Sequence, residues 1–197
     1  MPVIVTPAPP VPYFTVAEAR ALQPLNDAAT YPDAAIDAAR VGAEEAIEEA
    51  CGVAFVPRTA AETLDGAGAT GLALRWPKVR TVTSASVDGT ALTAAELLEV
   101  KTTSTGLYWP AYWAVGTSNL VVEYEHGFDV PPYRGKSAAL RLTKHFLIDN
   151  PGDDRVLRVD TDAGAYVMST PGMRGQSFGI PEVDSFIADY NFRLGFS

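Results

Sequence analysis

The chain has 197 residues, of which 47% are hydrophobic and 20% are charged, and its net charge at pH 7 is −9. A chain of this length can bury one good core or two small ones, and no apolar run approaches the roughly 18 residues that a membrane span needs. Most of the negative charge lies in residues 1–54, which argues against tight binding of nucleic-acid phosphates, because that binding relies on Lys and Arg.

The start of the chain and its cysteine content indicate the compartment. Residues 1–6 lack the basic region of a signal peptide, so secretion through one is not expected. The single cysteine, Cys51, cannot form an internal disulfide and fits assembly in a reducing cytoplasm. Because Cys51 falls in the last apolar turn of a predicted helix, its simplest role is that of a small hydrophobic residue.

The first fourteen residues are predicted to form an extended arm. Proline can neither continue a helix nor pair in a central strand, and residues 1–14 contain five prolines. Thr15 and Glu18 then have the spacing of a capping box, in which each residue satisfies a backbone N–H of the other. This pair predicts a short helix that runs to about Gln23.

A longer helix is predicted to begin at Asp33, which is a fair N-cap, and to end at Gly52. Its apolar residues recur at spacings of three and four, namely Ile36, Ala39, Ala43, Ile47 and Ala50. Four glutamates flank this apolar stripe, namely Glu44, Glu45, Glu48 and Glu49. Together with residues 129–150, residues 15–54 are expected to form a helical core.

Residues 55–128 are predicted to form an inserted β-rich module. The Val-Thr run of residues 79–87 ends at Asp88-Gly89, a tight-turn dipeptide, and residues 120–124 form a second strand-like run. Aromatic side chains of this module could stack on a sugar ring or a base, but in a small β-module such side chains usually form the core. They are Trp76, Tyr108, Trp109, Tyr112 and Trp113.

The remaining residues are predicted to form a third helix, a hairpin and a last helix. The third helix follows Pro131-Pro132 and runs from about Gly135 to Asp149, and residues 151–197 begin with a hairpin and a loop. Pro181 opens the last helix. The apolar stripe of that helix and of the residues beyond it comprises Val183, Phe186, Ile187, Tyr190, Phe192, Leu194 and Phe196. The predicted fold class is therefore α+β: a bundle of about four helices, an inserted β-rich module and an extended C-terminal segment.

No sequence motif points to catalysis, to a cofactor or to a metal. His126 and His145 lack H-x-x-x-H or C-x-x-C partners, and His126 precedes a glycine, which suggests a surface or turn position. The acidic stretch 149–154 is interrupted by a proline and lacks the bidentate glutamate of a calcium loop. No nucleophile, base and orienting group can be assembled from the sequence, so an enzyme is not expected.

The order of several sequence segments resembles that found in one protein family. Six segments are similar in order and spacing to those of the head-tail connector (adaptor) proteins of long-tailed double-stranded DNA bacteriophages. They are residues 49–52 (Glu-Ala-Cys-Gly), 55–59 (Phe-Val-Pro-Arg-Thr), 76–82, Asp88-Gly89, 122–127 and Pro131-Pro132. The closing segments 170–172 and 179–184 resemble versions from phages of actinobacteria. The size of the β-rich module departs from the all-helical members.

The resemblance implies a structural virion protein without catalysis or cofactor. Such adaptors form a ring of about twelve copies under the portal protein, in the neck between capsid and tail, and a head-completion (stopper) or tail protein docks on them. Assembly in the host cytoplasm is implied, without a membrane. The same resemblance makes the stripe Val183, Phe186, Ile187, Tyr190, Phe192 and Phe196 a candidate interface with the portal or with a neighbouring subunit.

The acidic helix has a candidate role in such a ring. Glu44, Glu45, Glu48 and Glu49 could line the channel and repel passing double-stranded DNA, because −9 per subunit becomes roughly −100 around a ring of about twelve. A plain solvated helix face explains the same residues equally well. A β-rich virion module that binds a carbohydrate or a receptor is the alternative function, carried by the Trp and Tyr residues of segment 55–128.

Overall fold

The computed structural model describes residues 11–148, 158–161, 164–167 and 178–191 of an α+β chain. In chain order its elements are α1 (Val16–Arg20), α2 (Asp33–Cys51), β1 (Arg58–Gly66), β2 (Gly71–Ala73), β3 (Val79–Val87), β4 (Thr90–Ala91), α3 (Ala94–Glu99), β5 (Lys101–Thr102), β6 (Gly106–Tyr108), β7 (Gly116–His126), α4 (Tyr133–Ile148), β8 (Arg158–Thr161), β9 (Gly164–Val167) and α5 (Pro181–Asp189). Within these ranges, no helix has the length and apolar character to cross a membrane.

The described residues divide into two compact units. The β-rich unit contains Val11 and residues 52–130, and the helical unit contains residues 12–51 and the described part of 131–191. The sequence predicted a β-rich module over 55–128, and the four helices α1, α2, α4 and α5 are those expected for the bundle. A fifth helix, α3, lies inside the β-rich unit and was not predicted.

The helix ends follow local chemistry. The capping box at α1 is present, with Thr15 N donating to Glu18 Oε2 at 2.8 Å and Glu18 N donating to Thr15 Oγ1 at 3.3 Å. The helix ends at Arg20 rather than near Gln23, because Pro24 follows and the residue before a proline disfavours helical geometry. At the end of α2, Gly52 has a φ of 70°, which confirms it as the predicted stop.

The core of the helical unit lies where α2, α4 and α5 pack on one another. Buried side chains from each helix meet there, which is the arrangement that an apolar stripe at spacings of three and four dictates. Helix α4 begins at Tyr133, directly after Pro132, slightly earlier than the expected Gly135. The buried hydrophobic side chains of these three helices are Ile36, Ala43, Ile47, Cys51, Ala138, Ala139, Leu142, Val183 and Phe186. Separately, β8 and β9 form the antiparallel hairpin expected after α4.

The β-rich unit is built on two antiparallel sheets. The larger sheet has the order β1-β7-β3-β4, and the smaller has the order β2-β6-β5. Strand β7 alternates strictly, so that residues 120, 122, 124 and 126 are buried while the intervening residues face away from the core. Asp88 and Gly89 both have positive φ, at 51° and 75°, and thereby confirm the predicted tight turn between β3 and β4.

Candidate functional site

Cys51 and His126 are buried, and His145 is half-buried. Within the described ranges, no group of three or more His, Cys, Asp or Glu side chains could hold a metal ion. Cys51 is fully buried, and burial raises the pKa of its thiol to about 12, so the reactive thiolate form is scarce at neutral pH.

The four glutamates of α2 do not form one exposed face, contrary to the expectation for a channel lining. Glu44 is only 1% exposed and Glu48 only 7%, whereas Glu45 and Glu49 are exposed. The Oε1 atom of Glu44 accepts hydrogen bonds from the backbone N–H of Tyr13 at 2.9 Å and from Arg40 Nη1 at 3.0 Å. Glu48 Oε1 accepts from the Tyr13 hydroxyl at 3.0 Å. These two carboxylates therefore fasten the segment around Tyr13 to α2.

The exposed acidic surface of α2 is consequently smaller than the sequence suggested. Glu45 and Glu49 stand one turn apart on the solvent side of the helix. Asp37 lies nearer the N-terminus of α2, and its half-exposed carboxylate pairs with Arg40 at 2.7 Å. A channel-lining role stays a prediction for Glu45 and Glu49 and is removed for the two buried glutamates.

The stripe of α5 is also divided by folding. Val183 and Phe186 are completely buried inside the helical unit, so they are core residues and not an open interface with another protein. A Cβ built on Gly135 of α4 would lie only 3.0 Å from Phe186 Cζ, which shows how closely α4 and α5 approach. Ile187 and Tyr190 are half-buried, and Phe192 and Phe196 lie outside the described residues. The interface prediction therefore remains for these four residues only.

Ion pairs hold α5 against α4. Arg134 pairs with Asp189 at 2.6 Å and also donates to Ser185 Oγ at 3.1 Å. Arg141 pairs with Glu182 at 3.1 Å. Exposed pairs of this kind contribute little free energy individually, but their positions at both ends of α5 fix its direction on the bundle.

An aromatic cluster around His126 was missed by the sequence reasoning, which placed this residue on the surface or in a turn. His126 is 3% exposed, its ring stacks on Trp76 at 5.1 Å between centroids, and it contacts Tyr124 at 5.7 Å. Burial, with a smaller effect from the charge of Arg58, lowers the pKa of His126 to about 4. Its position at the end of the alternating strand β7 is the signal that could have revealed its burial, because residues 120, 122 and 124 share its face.

Two of the three tryptophans that suggested ligand stacking form the core instead. Trp109 and Trp113 are buried with ring centroids 5.0 Å apart, and Trp76 is half-buried beneath the guanidinium of Arg75 at 5.3 Å. Tyr108 and Tyr112 are exposed. Of the predicted aromatic set, the two tyrosines and the accessible part of Trp76 therefore remain available to a partner.

The two exposed tyrosines are at or beside a pair of loops that carry no charge. These uncharged loops are residues 66–71 and 109–118, which include the last residue of β1, the first residue of β2 and the first three residues of β7, and they contain no Asp, Glu, Lys or Arg. Trp109 N donates to Thr70 O at 2.8 Å and Trp113 N donates to Ala69 O at 2.9 Å, so the two loops are joined by backbone hydrogen bonds. They form an exposed and mostly apolar surface on the β-rich unit, and the exposed Asp65 carboxylate accepts a hydrogen bond from Ser118 N at 2.5 Å at its edge.

A second apolar surface lies beside α3. It is an open groove of about 670 Å³ with apolar side chains from β3 and α3, and with Arg80 and Lys101 among its lining residues. Leu98 in this groove is 86% exposed. Arg80 is already paired with Glu125 at 2.6 Å and with Asp129 at 2.5 Å.

Comparison with known proteins shows that this chain shares its fold with chains of solved structures. No protein-family model and no curated protein sequence matches the chain. Among solved structures, a chain in "Virion of native gene transfer agent (GTA) particle" aligns with a TM-score of 0.58 and 18% identity over 95% of this chain and 93% of that chain. A chain in "Neck of native GTA particle computed with C12 symmetry" aligns with a TM-score of 0.54 and 16% identity over 87% of this chain and 86% of its own length.

A further solved structure gives the same result. A chain in "Neck of empty GTA particle computed with C6 symmetry" aligns with a TM-score of 0.52 and 20% identity over 72% of this chain and 81% of that chain. The α+β fold described above is thus the fold of chains found in the necks and virions of gene transfer agent particles. The likeness extends over both units, since it reaches 95% of the chain.

Proposed function

We propose that this chain is a structural protein of a phage-like virion, a head-tail adaptor that forms a ring in the neck beneath the portal protein. The single observation that carries the proposal is the fold shared along 87–95% of the chain with components of gene transfer agent particles. The buried Cys51 and His126 are consistent with a structural role without catalysis, because neither side chain can reach a substrate.

A ring is the form of assembly that the proposal requires. The neck structures that share the fold were computed with C12 and C6 symmetry, which supports a ring of about twelve copies for this chain. Each copy in a closed ring of this kind offers two different surfaces to its neighbours. The chain offers at least two separate apolar surfaces, the uncharged loops and the groove beside α3.

The proposed partners are the portal protein on one side and a stopper or tail protein on the other. Ile187 on α5 and Tyr190 directly after it are half-buried, and Phe192 and Phe196 follow in the sequence. We propose that this C-terminal surface contacts the portal or the adjacent subunit. Double-stranded DNA passes through the ring without specific binding, past carboxylates that include Glu45 and Glu49.

The carbohydrate- or receptor-binding alternative has lost part of its support. It was based on an aromatic set in the β-rich unit, but Trp109 and Trp113 of that set are buried core. A glycan array probed with the whole protein remains the measurement that separates the two functions, because an adaptor should bind none of the glycans.

The adaptor proposal is tested by co-expressing the chain with its portal protein and imaging the purified particles by electron microscopy. We expect a ring beneath the portal in particles with the wild-type chain and weaker attachment with the variant Phe192→Ser/Phe196→Ser. Tyr133→Ser is the matched control, because Tyr133 is a strongly exposed aromatic residue elsewhere on the helical unit. If the wild-type chain never joins particles that contain the portal, the adaptor function is wrong.

A further inference from the structure

We propose that the outer edge of β1 binds residues 3–6 of the chain's own N-terminal arm, which then form an additional antiparallel strand. Within the described ranges β1 pairs with β7 along one side, and no strand pairs with its other side. β1 has nine residues, whereas the strand at the opposite edge of the sheet, β4, has only two. The larger sheet therefore ends in one long, open edge. The inference stands independently of the proposed function.

The backbone of β1 has hydrogen-bonding groups to offer to such a segment. In an antiparallel pair only alternate residues exchange hydrogen bonds, so about four of the nine residues of β1 direct their N–H and C=O groups away from β7. Among the described residues, no backbone group of residues 59–65 has a backbone partner outside the pairing with β7. β1 also contains no proline to block the edge. An edge of this kind binds an extended segment by strand addition.

The arm contains one run that is suited to this pairing. Residues 3–6 are Val-Ile-Val-Thr, four consecutive β-branched residues without a charge, and β-branched residues favour strands. Pro2 and Pro7 bound the run. Proline is excluded from a central strand but tolerated in an edge strand, and the added strand would be the new edge of the sheet. The flanking prolines are thus compatible with this position.

The point at which the arm enters the β-rich unit selects this edge and the direction of pairing. Arg58, the first residue of β1, donates a hydrogen bond from Nη1 to the carbonyl oxygen of Val11 at 3.2 Å. Thr6 precedes Val11 by five residues, and Thr63 follows Arg58 by five. An extended arm that runs back along β1 therefore brings Thr6 beside Thr63, about 17 Å from this hydrogen bond. The arm then runs opposite to β1, which makes the pairing antiparallel.

This register matches polar and apolar side chains on the two strands. Thr63 is exposed, and Leu64 is half-buried against the hydrophobic core. Directly opposite residues of an antiparallel pair lie on the same face, so Thr6 joins Thr63 on the solvent side and Val5 joins Leu64 on the core side.

The covalent connection identifies the occupant as the chain's own arm. Because only a short tether separates residues 3–6 from Val11, the run is held beside β1 at a roughly millimolar effective concentration. The arm of another copy in dilute solution is far more dilute than this. A long open edge pairs readily with other molecules, so the arm also keeps separate copies from associating through β1.

The first test places a cysteine on each side of the proposed contact, in Thr6→Cys/Thr63→Cys. Opposite residues of an antiparallel pair have Cα atoms about 4.5–5.5 Å apart, which a disulfide can join. The control is Thr6→Cys/Thr59→Cys, because Thr59 is exposed on the same face of β1 but lies about 14 Å from Thr63. Cys51 is fully buried and does not compete.

We expect at least about tenfold more intramolecular disulfide in the first variant than in the control, measured by mass spectrometry after mild oxidation of dilute protein. Disulfide-linked dimers would show that the arm of another copy occupies the edge. Equal yields in the two variants would show that the arm has no fixed position on β1. Either of these results overturns the inference.

The second test deletes residues 2–8, which leaves Val11 and its hydrogen bond to Arg58 in place. At low protein concentration, hydrogen exchange of the outward-facing amides of residues 59–65 should become at least about tenfold faster, because they lose their partners. The amides of residues 120–125 are the control, since β7 is paired with β1 and β3 on its two sides. At higher concentration the shortened chain should self-associate more strongly in analytical ultracentrifugation. Unchanged exchange in β1, or an equal increase in β7, overturns the inference.

Discussion

The Glu44 carboxylate has a different role from that of Glu45, its neighbour in the sequence. An α-helix turns about 100° per residue, so Glu44 and Glu48 lie on the buried stripe of α2 and Glu45 and Glu49 lie on the solvent side. A buried carboxylate is tolerated only with partners, and Glu44 accepts hydrogen bonds from Tyr13 and from Arg40. Glu44 consequently contributes to the fold, while Glu45 is available to the surface.

Replacing these two neighbours separately should give opposite results. Glu44→Ala leaves the buried Arg40 guanidinium without its ion-pair partner on the next turn and the Tyr13 N–H without its acceptor, so we expect a loss of about 2–4 kcal/mol in the free energy of unfolding. Glu45→Ala should change it by less than about 0.5 kcal/mol, as for other surface positions. Urea denaturation followed by circular dichroism measures both. Equal effects would show that Glu44 is not the structural residue proposed here.

The buried His126 makes the stability of the chain depend on pH in a defined direction. The folded pKa is about 4, well below the ordinary value of 6.5, because burial disfavours the charged ring. Above pH 6.5 the imidazole is neutral in both states and contributes nothing to this dependence. As the pH falls from 6.5 towards 4, His126 is protonated in the unfolded chain while it stays neutral in the folded chain. The free energy of unfolding therefore decreases, by up to about 3 kcal/mol.

The variant His126→Phe isolates this effect. Phenylalanine can keep the ring contact with Trp76 but cannot take up a proton, so its stability should fall less steeply between pH 6.5 and pH 4.5 than that of the wild type. Thermal melting at a series of pH values gives the difference, and groups that titrate in both proteins cancel. Parallel curves for the two proteins would contradict the low pKa.

At the scale of elements, the sequence predicts what local chemistry decides. The Gly52 stop and the Asp88-Gly89 turn are confirmed because each depends on the conformational freedom of a glycine and its immediate neighbours. Helix α3 carries the same capping box as α1, with Thr93 and Glu96, and was overlooked because the surrounding segment reads as β-rich. What packs against an element was not predictable, since it depends on residues distant in the sequence.

The last helix shows that limit. Its apolar stripe is visible in the sequence, but two different destinations, the chain's own bundle or another protein, give the same pattern. Phe186 packs inside the chain's own bundle because α4 approaches it closely at Gly135. The periodicity of residues 181–190 does not show this contact. The burial of Glu44 was hidden in the same way, because its partner Tyr13 lies 31 residues away.

Helix α5 should therefore be required for stability as well as for any contact it makes. Phe186→Ala removes a completely buried ring, and we expect it to cost about 3–5 kcal/mol in the free energy of unfolding. Ala188→Ser, on the exposed side of the same helix, should cost less than about 0.5 kcal/mol. Chemical denaturation of the two variants measures the difference. A mild effect of Phe186→Ala would return this residue to the candidate interface.

At the scale of the whole molecule, the net charge of −9 is the property that bears on DNA. In the proposed ring of about twelve copies this charge would repel phosphates, and the repulsion would keep DNA moving only if carboxylates face the channel. Free duplex DNA should accordingly bind the wild-type chain with a Kd of about 10⁻⁴ M or weaker at physiological salt. Submicromolar binding that weakens steeply with salt would contradict this.

Charge reversal at Glu45 and Glu49 tests which carboxylates face the DNA. If these two exposed residues line the channel, Glu45→Lys/Glu49→Lys should leave the fold intact but make assembled particles release DNA more slowly, because roughly two dozen lysines around the ring would then contact the phosphates. The control is Glu99→Lys/Asp88→Asn, which changes the net charge by a similar amount at exposed positions of the β-rich unit and keeps the turn at residue 88, because Asn tolerates positive φ. Slower release with the first variant alone supports the channel assignment. Equal slowing with both variants means that total charge, rather than a lining by α2, governs the passage of DNA, and unchanged release with both removes Glu45 and Glu49 from the channel.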